Sequence, residues 1–154
     1  MAFEFHVLVV ANLTATSEEL LAALKQRAEA GTCRFTLLTP RSGPESEQLL
    51  AAALKAMRAA GLRKVEGRLG DPDPVVAVME IWDPTAFDEI VVSTLPTGVS
   101  RWLGLDLPRR LARLTSVSVH HVETRPHPEV HWERPREHDD YGVLSPLAAA
   151  LNRR

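Results

Sequence analysis

The sequence predicts an α/β protein with three layers, in which helices cover both faces of a five-stranded parallel sheet. Apolar runs of strand length alternate with segments of helical period, in the order βαβαβαβαβ, up to residue 123. The first run, from His6 to Ala11, is almost entirely apolar, as expected of a strand buried on both faces. Strands that alternate with helices favour a parallel sheet covered on both sides.

Two strand–helix units make up the start of the chain. Thr16 and Glu19 have the spacing of a capping box, which predicts a first helix running to about Ala30 and ending at Gly31. The apolar segment 34–39 predicts the second strand. Three- and four-residue steps between apolar positions then predict the second helix, and these positions are Leu49, Leu50, Ala53, Leu54 and Met57.

The next unit contains the third strand and the third helix. Segment 64–70 mixes polar and apolar residues, so this strand is predicted to lie near a sheet edge. Asp73 is suited to the N-cap of a helix and Pro74 to its first position, and the apolar face of that helix extends to Trp82. Glu89 to Ser93 is the predicted fourth strand.

The fifth strand is predicted over residues 116–122, which alternate as an exposed edge strand does. Before it, residues 101–103 predict a short helical turn and residues 108–114 a helix with Asp106 as a candidate N-cap. Prolines and charges dominate after residue 123. We therefore predict a domain over residues 1–123 and, over 124–154, an extended arm or disordered tail ending in one short helix at 145–151.

Composition narrows the class of protein. A chain of 154 residues with 45% hydrophobic and 25% charged residues suits one globular domain. The net charge of −2 argues against a general nucleic-acid surface, so no nucleic-acid partner is expected. Cys33 is the only cysteine, which excludes an internal disulfide and a cysteine metal cluster. No membrane-span-length apolar run and no signal-peptide pattern occurs, so we expect a cytoplasmic protein with no membrane partner.

The candidate site is the stretch from Phe87 to Arg101. A short apolar run there ends in a turn rich in hydroxyls, and an arginine-bearing helical segment follows, which is where phosphates bind in parallel α/β sheets. An alternative is a plain strand–helix connection with polar turn residues. The candidate anion-binding residues in this stretch are Ser93, Thr94, Thr97, Gly98, Ser100 and Arg101.

Other chemistry has weaker support in the sequence. His127 and His131 are four residues apart, but the prolines beside them disfavour a helix that would aim both at one metal. His120 and His121 are adjacent, so on a strand they would point to opposite faces. Ser93 lacks the flanking glycines of a hydrolase nucleophile elbow. No metal site and no catalytic residue is therefore predicted, and the arginines of the segment 109–113 are expected on a solvated helix surface.

Three local motifs, in order, resemble the universal stress protein (UspA-like) family over roughly residues 5 to 122. They are Gly70-Asp71-Pro72 after the third strand, Asp88-Glu89-Ile90-Val91-Val92-Ser93 in the fourth, and the helix and strand from Arg109 to Val119. The resemblance implies a Rossmann-like fold of the adenine nucleotide alpha hydrolase type. It also implies a homodimer, for which we expect pairing through the exposed fifth strand, residues 117–122.

The chain departs from this family at its nucleotide motif. ATP-binding members carry Gly-x2-Gly-x9-Gly followed by Ser or Thr, and those positions fall here on Ser93, Pro96, Asp106 and Leu107. Glycine permits close backbone approach to phosphate, and Pro96 also lacks a donor N–H. Asp106 is expected to place a carboxylate where a phosphate would lie. The family's aspartate after the first strand is replaced near Asn12.

The resulting hypothesis is a regulatory, ligand-binding protein of the universal stress type that holds a nucleotide (ATP or AMP) or another anion. Its ligand-binding residues would be Asn12, Gly70, Ser93, Thr94, Thr97, Gly98, Ser100 and Arg101. The alternative is a dimeric scaffold or interaction protein of the same fold that binds no nucleotide. In either case the tail, with Trp132 and Tyr141, is a candidate to wrap the partner subunit. Enzymatic turnover lacks a general base or a metal-binding carboxylate pair in the sequence.

Overall fold

The computed structural model of the protein describes residues 3–96 and 100–125, and its centre is a five-stranded sheet. The strands follow the spatial order β3-β2-β1-β4-β5, and every neighbouring pair is parallel. This confirms the predicted fold class. The strands are β1 (Phe5–Val10), β2 (Cys33–Pro40), β3 (Val65–Gly70), β4 (Glu89–Thr94) and β5 (Val119–Glu123).

Helices cover both faces of this sheet and form the outer two layers. On one face, α1 and α2 bury leucine, alanine and methionine side chains against Val7 and Val9. On the other, α3 and α5 pack against Leu8 and Val10. These four residues of β1, numbers 7 to 10, are fully buried, because alternate side chains enter the cores on opposite faces of the sheet. The helices are α1 (Glu18–Ala30), α2 (Ser46–Ala59), α3 (Pro74–Ile81), α4 (Arg101–Gly104) and α5 (Leu107–Thr115).

Helix starts agree with the sequence prediction at α3 and differ at α1 and α5. Asp73 accepts a hydrogen bond from Val75 N at 2.9 Å, as an N-cap should. The cap of α1 is Ser17, whose Oγ accepts from Leu20 N at 3.1 Å, so the prediction of Thr16 was one residue early. Asp106 precedes α5 but makes no capping hydrogen bond through its side chain.

The edges of the sheet lie where the sequence predicts, although each strand differs from its predicted limits by one residue or more, and β5 differs most. β3 and β5 form the two edges and are partly exposed. β5 begins at Val119, later than predicted, because Ser116 adopts a left-handed conformation (φ 60°) that ends α5. β4 continues to Thr94, one residue further than predicted.

Most of the predicted tail lies outside the described residues. This applies to the short helix at 145–151, to Trp132 and Tyr141, and to the boundary between a domain and a tail, which stays a prediction. Over residues 3–96 and 100–125, no helix has the length and apolar character needed to cross a membrane.

Candidate functional site

A cleft opens at the carboxyl end of the sheet, between β1 and β4. The chain builds outward from β1 to β2 and β3, and then crosses to place β4 on the opposite side of β1. At such a reversal the two following connections diverge, and parallel α/β proteins bind ligands in the crevice that results. The cleft has a volume of about 860 Å³ and is lined by the ends of β1, β2 and β4, the start of α3, and α4.

Five of the eight residues predicted for the site line this cleft. They are Asn12, Ser93, Thr94, Ser100 and Arg101. Thr97 and Gly98 lie outside the described residues. Gly70 is not among the lining residues. The polar residues that follow two separate strands are therefore brought together by the sheet order.

Gly70 supports the site indirectly, through packing. A Cβ atom at this position would lie 2.7 Å from Ala77 Cβ and 3.0 Å from Leu38 Cδ1. Real Cβ contacts are not that short, so glycine allows α3 to lie directly on the end of β3. The residues at the start of α3, which line the cleft, depend on that close approach.

Ser93 joins the two halves of the cleft. Its Oγ lies 2.6 Å from Thr14 Oγ1, and both residues are buried. This hydrogen bond fixes the connection after β1 against the end of β4. Since the Ser93 hydroxyl has an internal partner, it contributes mainly to the shape of the cleft.

Asn12 presents unused hydrogen-bonding capacity in the cleft. Its Oδ1 atom is buried and has no hydrogen-bond partner among residues 3–96 and 100–125. A buried polar atom without a partner carries a desolvation cost of about 1–3 kcal/mol. An amide carries both donors and an acceptor, so a bound ligand with matching polar groups would relieve that cost.

The charge of the cleft is positive. Arg41, after β2, and Arg101, at the start of α4, are exposed arginines in its lining, and Asp73 is the acidic residue there. The Asp73 carboxylate already accepts hydrogen bonds from the first backbone N–H groups of α3. Ser100 lies beside Arg101, and its Oγ accepts from Leu103 N at 3.3 Å. The two guanidinium groups are therefore available to an anion.

An apolar rim adjoins these polar groups. Leu13 is 70% exposed and Leu105 54% exposed, and the half-buried Trp102 lies between Arg101 and Leu105 in the lining. The cleft thus combines an apolar wall with a few charged and polar groups, as small-molecule sites commonly do. The residues predicted for the site did not include Leu13, Arg41 and Leu105.

Asp106 is one of the three positions at which the family's nucleotide motif has glycine, and it differs from Ser93 in lying outside the cleft lining. Asp106 has φ 56°, the left-handed region that favours glycine, so the backbone shape survives the substitution. Its carboxylate lies 3.7 Å from Arg109 Nε, and the residue is not in the cleft lining. Asp106 is thus outside this cleft, and the expectation that its carboxylate takes a phosphate position stays a prediction. Leu107 is buried in the core on the α5 face.

Metal chemistry finds no support in the described part of the chain. No group of three or more histidine, cysteine, aspartate or glutamate residues there is arranged to hold a metal ion. His120 and His121 pair with successive residues of β4 and hence face opposite sides of the sheet. His127, His131 and His138 lie outside the described residues.

The fold and the cleft define a doubly wound α/β protein with an open crevice at its switch point. Its structure resembles one described as a universal stress protein in complex with cAMP, with a TM-score of 0.60 and 25% identity over 81% of this chain and 100% of that chain. This likeness supports the resemblance to the universal stress protein (UspA-like) family that the sequence motifs indicate. Protein Rv1636 from Mycobacterium tuberculosis H37Rv is similar at 22% identity and a TM-score of 0.45, with the same coverage. No family model and no curated protein matches the sequence.

Proposed function

We propose that the protein binds a small anionic ligand of the mononucleotide class in the cleft between β1 and β4. The observation that carries this proposal is the convergence of Asn12, Thr94, Ser100 and Arg101 on one crevice at the switch point of the sheet. These residues come from connections that are far apart in the sequence. A plain strand–helix connection would not require them to meet around unused polar groups.

A ligand with one phosphate group suits this cleft better than a triphosphate. Pro96 has no N–H to offer, and the Ser93 hydroxyl already pairs with Thr14. The donors that remain are side chains, chiefly the guanidinium groups of Arg41 and Arg101 and the hydroxyl of Ser100. The Thr94 hydroxyl already contacts His121 Nε2 and the Leu95 carbonyl oxygen. The structural neighbour in complex with cAMP supports this class of ligand for the family.

Each part of such a ligand has a matching wall. A single negative charge would lie toward Arg101, which supplies charge-assisted hydrogen bonds. The base or another flat apolar group would lie against Leu13, Leu105 and Trp102. Asn12 would pair with polar edges of the base or sugar, since its Oδ1 has no partner in the described part of the chain.

Calorimetric titration with cAMP tests the proposal. Arg101→Gln should weaken binding about tenfold or more, because a hydrogen bond to a charged group contributes about 1.5–3 kcal/mol. Arg109→Gln is the matched control, since Arg109 is exposed on α5, lies outside the cleft lining and pairs with Asp106. Equal affinity in the Arg101 and Arg109 variants would contradict the assignment of the site.

The alternative function is a scaffold of the same fold that binds no nucleotide. The altered positions Ser93 and Pro96 favour it, because they remove backbone flexibility that a triphosphate loop requires. Denaturing the purified protein and identifying released small molecules by mass spectrometry separates the two functions. Released AMP or cyclic nucleotide favours ligand binding. An empty protein without a thermal shift in adenine nucleotides favours the scaffold.

A homodimer through β5 accompanies either function. This strand is a sheet edge with β4 as its strand partner, so its other side offers backbone groups to a second copy. Pairing of two β5 strands about a two-fold axis would extend the sheet across both subunits. Sedimentation that shows only monomer at micromolar concentration would exclude it. A cytoplasmic location stays a prediction from the sequence.

A further inference from the structure

A histidine lies directly behind the polar wall of the cleft. Thr94 is the last residue of β4, lines the cleft and is 2% exposed. Its Oγ1 lies 2.7 Å from His121 Nε2 on the neighbouring strand β5. The same hydroxyl lies 2.9 Å from the carbonyl oxygen of Leu95 and can donate its proton there. A residue of the cleft lining is therefore in hydrogen-bond contact with a titratable group.

The tautomer and the charge of the His121 ring set the direction of its hydrogen bond with Thr94. A neutral ring with a lone pair on Nε2 accepts the single Thr94 hydroxyl proton, so it competes with any anion in the cleft. An imidazolium ring always donates from Nε2 to Thr94 Oγ1, which leaves the hydroxyl proton to the Leu95 carbonyl oxygen or to an anion. The chain from imidazolium to hydroxyl to anion is polarised in one direction, which strengthens each hydrogen bond.

Burial and the charged groups around His121 determine the pKa of its ring. Burial is the main cause that lowers the pKa of His121. The negative charge of Glu123 raises this pKa, and His120 lowers it further. The free protein therefore carries mostly neutral His121 at pH 7. His121 also lines a groove beside α1, whose other charged residues are Glu18, Glu19, Lys25, Glu29 and Arg125. Helix α5 packs on β5 and carries Arg109, Arg110 and Arg113.

We propose that His121 is a positioning residue of the anion site, which acts through the Thr94 hydroxyl and couples ligand binding to its own protonation. This inference rests on the proposed function. An anion at Thr94 stabilises the imidazolium, and by reciprocity the imidazolium strengthens anion binding. Binding therefore takes up a proton, and affinity rises as the pH falls.

The test is calorimetric titration of the full chain with cAMP at about pH 8 and about pH 5.5, on either side of the ordinary histidine pKa. The phosphodiester of cAMP carries one charge throughout this range, whereas the phosphate of AMP titrates near pH 6 and would obscure the effect. The affinity of the wild-type protein should be about threefold to tenfold higher at the lower pH, since one unit of pKa shift corresponds to a factor of ten.

Two variants separate a positioning role from a structural one. His121→Gln keeps a hydrogen-bonding group for Thr94 but cannot titrate, so its affinity should not change with pH. His120→Gln is the matched control, because His120 is the adjacent histidine, is exposed and faces the other side of the sheet. It should retain most of the pH dependence of the wild-type protein, because His120 is the weakest of the causes that shift the pKa of His121.

Nuclear magnetic resonance titration of the His121 ring in the wild-type chain gives a second reading that needs no variant. Saturating cAMP should raise its pKa, and an unchanged pKa overturns the inference. Wild-type binding that is independent of pH, or the same pH dependence in His121→Gln, overturns it as well and leaves the proposed function intact. Absence of binding at both pH values overturns the proposed function and this inference together.

Discussion

Gly70 illustrates how one residue shapes the cleft without lining it. An added methyl group would meet Ala77 on α3 and Leu38 on β2, and the contact with α3 includes its backbone. The sequence places Gly70 in a family motif and implies a ligand contact. The structure places it under a helix, because only the packing of α3 on β3 reveals how little space remains.

Gly70→Ala should lower the free energy of unfolding by about 1–3 kcal/mol, as overpacking of a well-packed site does. Urea denaturation measures this. Gly31→Ala is the control, since nothing lies within 4 Å of a Cβ there and its φ of 176° is extended. Equal stability of the two variants would show that α3 moves aside freely.

His6 is a buried histidine in β1, at the end of the sheet opposite the cleft. Its Nδ1 lies 2.9 Å from the Ala86 carbonyl oxygen and its Nε2 lies 2.8 Å from Thr36 Oγ1. Burial is the main cause that lowers its pKa, followed by the positive charge of Arg34. The unfolded chain therefore binds a proton at this residue more readily than the folded chain does.

Stability should accordingly decrease as the pH falls below about 6.5, the ordinary histidine pKa, and continue to decrease until the folded-state pKa is passed. His121 contributes in the same direction, since its pKa is also lowered. Denaturation at a series of pH values tests this, with His6→Gln expected to flatten the slope and His120→Gln to preserve it. Constant stability between about pH 7 and pH 5 would contradict it.

At the scale of elements, α1 is attached to the sheet by an ion pair. Arg27 near its end donates from Nε and Nη2 to the two carboxylate oxygens of Glu89, at 2.8 and 2.7 Å. The side chains are 20% and 13% exposed, and the Glu89 carboxylate raises the pKa of Arg27. This contact holds α1 over the start of β4, the strand whose other end forms the cleft.

Arg27→Gln should lower the free energy of unfolding by about 2 kcal/mol, between the values typical of exposed and of fully buried pairs. Thermal or urea denaturation gives the value. Lys64→Gln is the control, because the Lys64–Glu4 pair is more exposed and should leave stability nearly unchanged. Similar losses in both variants would indicate that partial burial of the Arg27–Glu89 pair adds nothing.

Element types were predictable from the sequence because local patterns determine them. The apolar run of β1 and the Asp73-Pro74 start of α3 both lie where the pattern indicates. The start of β5 was not predictable, because Ser116 adopts a left-handed conformation that a serine side chain does not indicate. The choice of Ser17 over Thr16 as the cap of α1 is equally a matter of local geometry that either residue type permits.

The cleft depends on the order of the strands in the whole sheet. Its polar wall after β4 was predictable, since a hydroxyl-rich turn after a buried strand indicates an anion site in this fold class. Arg41 and Leu13 were not, because they join the site only once the sheet order brings the ends of β2 and β1 beside β4. The His121–Thr94 hydrogen bond depends in the same way on β5 lying next to β4.

Binding of a small anion in the crevice at the switch point can be mapped residue by residue. The measurement is backbone amide chemical-shift mapping of the full chain during a cAMP titration. We predict saturable shifts that concentrate at Asn12, Thr94, Ser100 and Arg101, with little change at Arg109 on α5. Shifts confined to other surfaces, or no saturable shift at any cAMP concentration, would contradict the account.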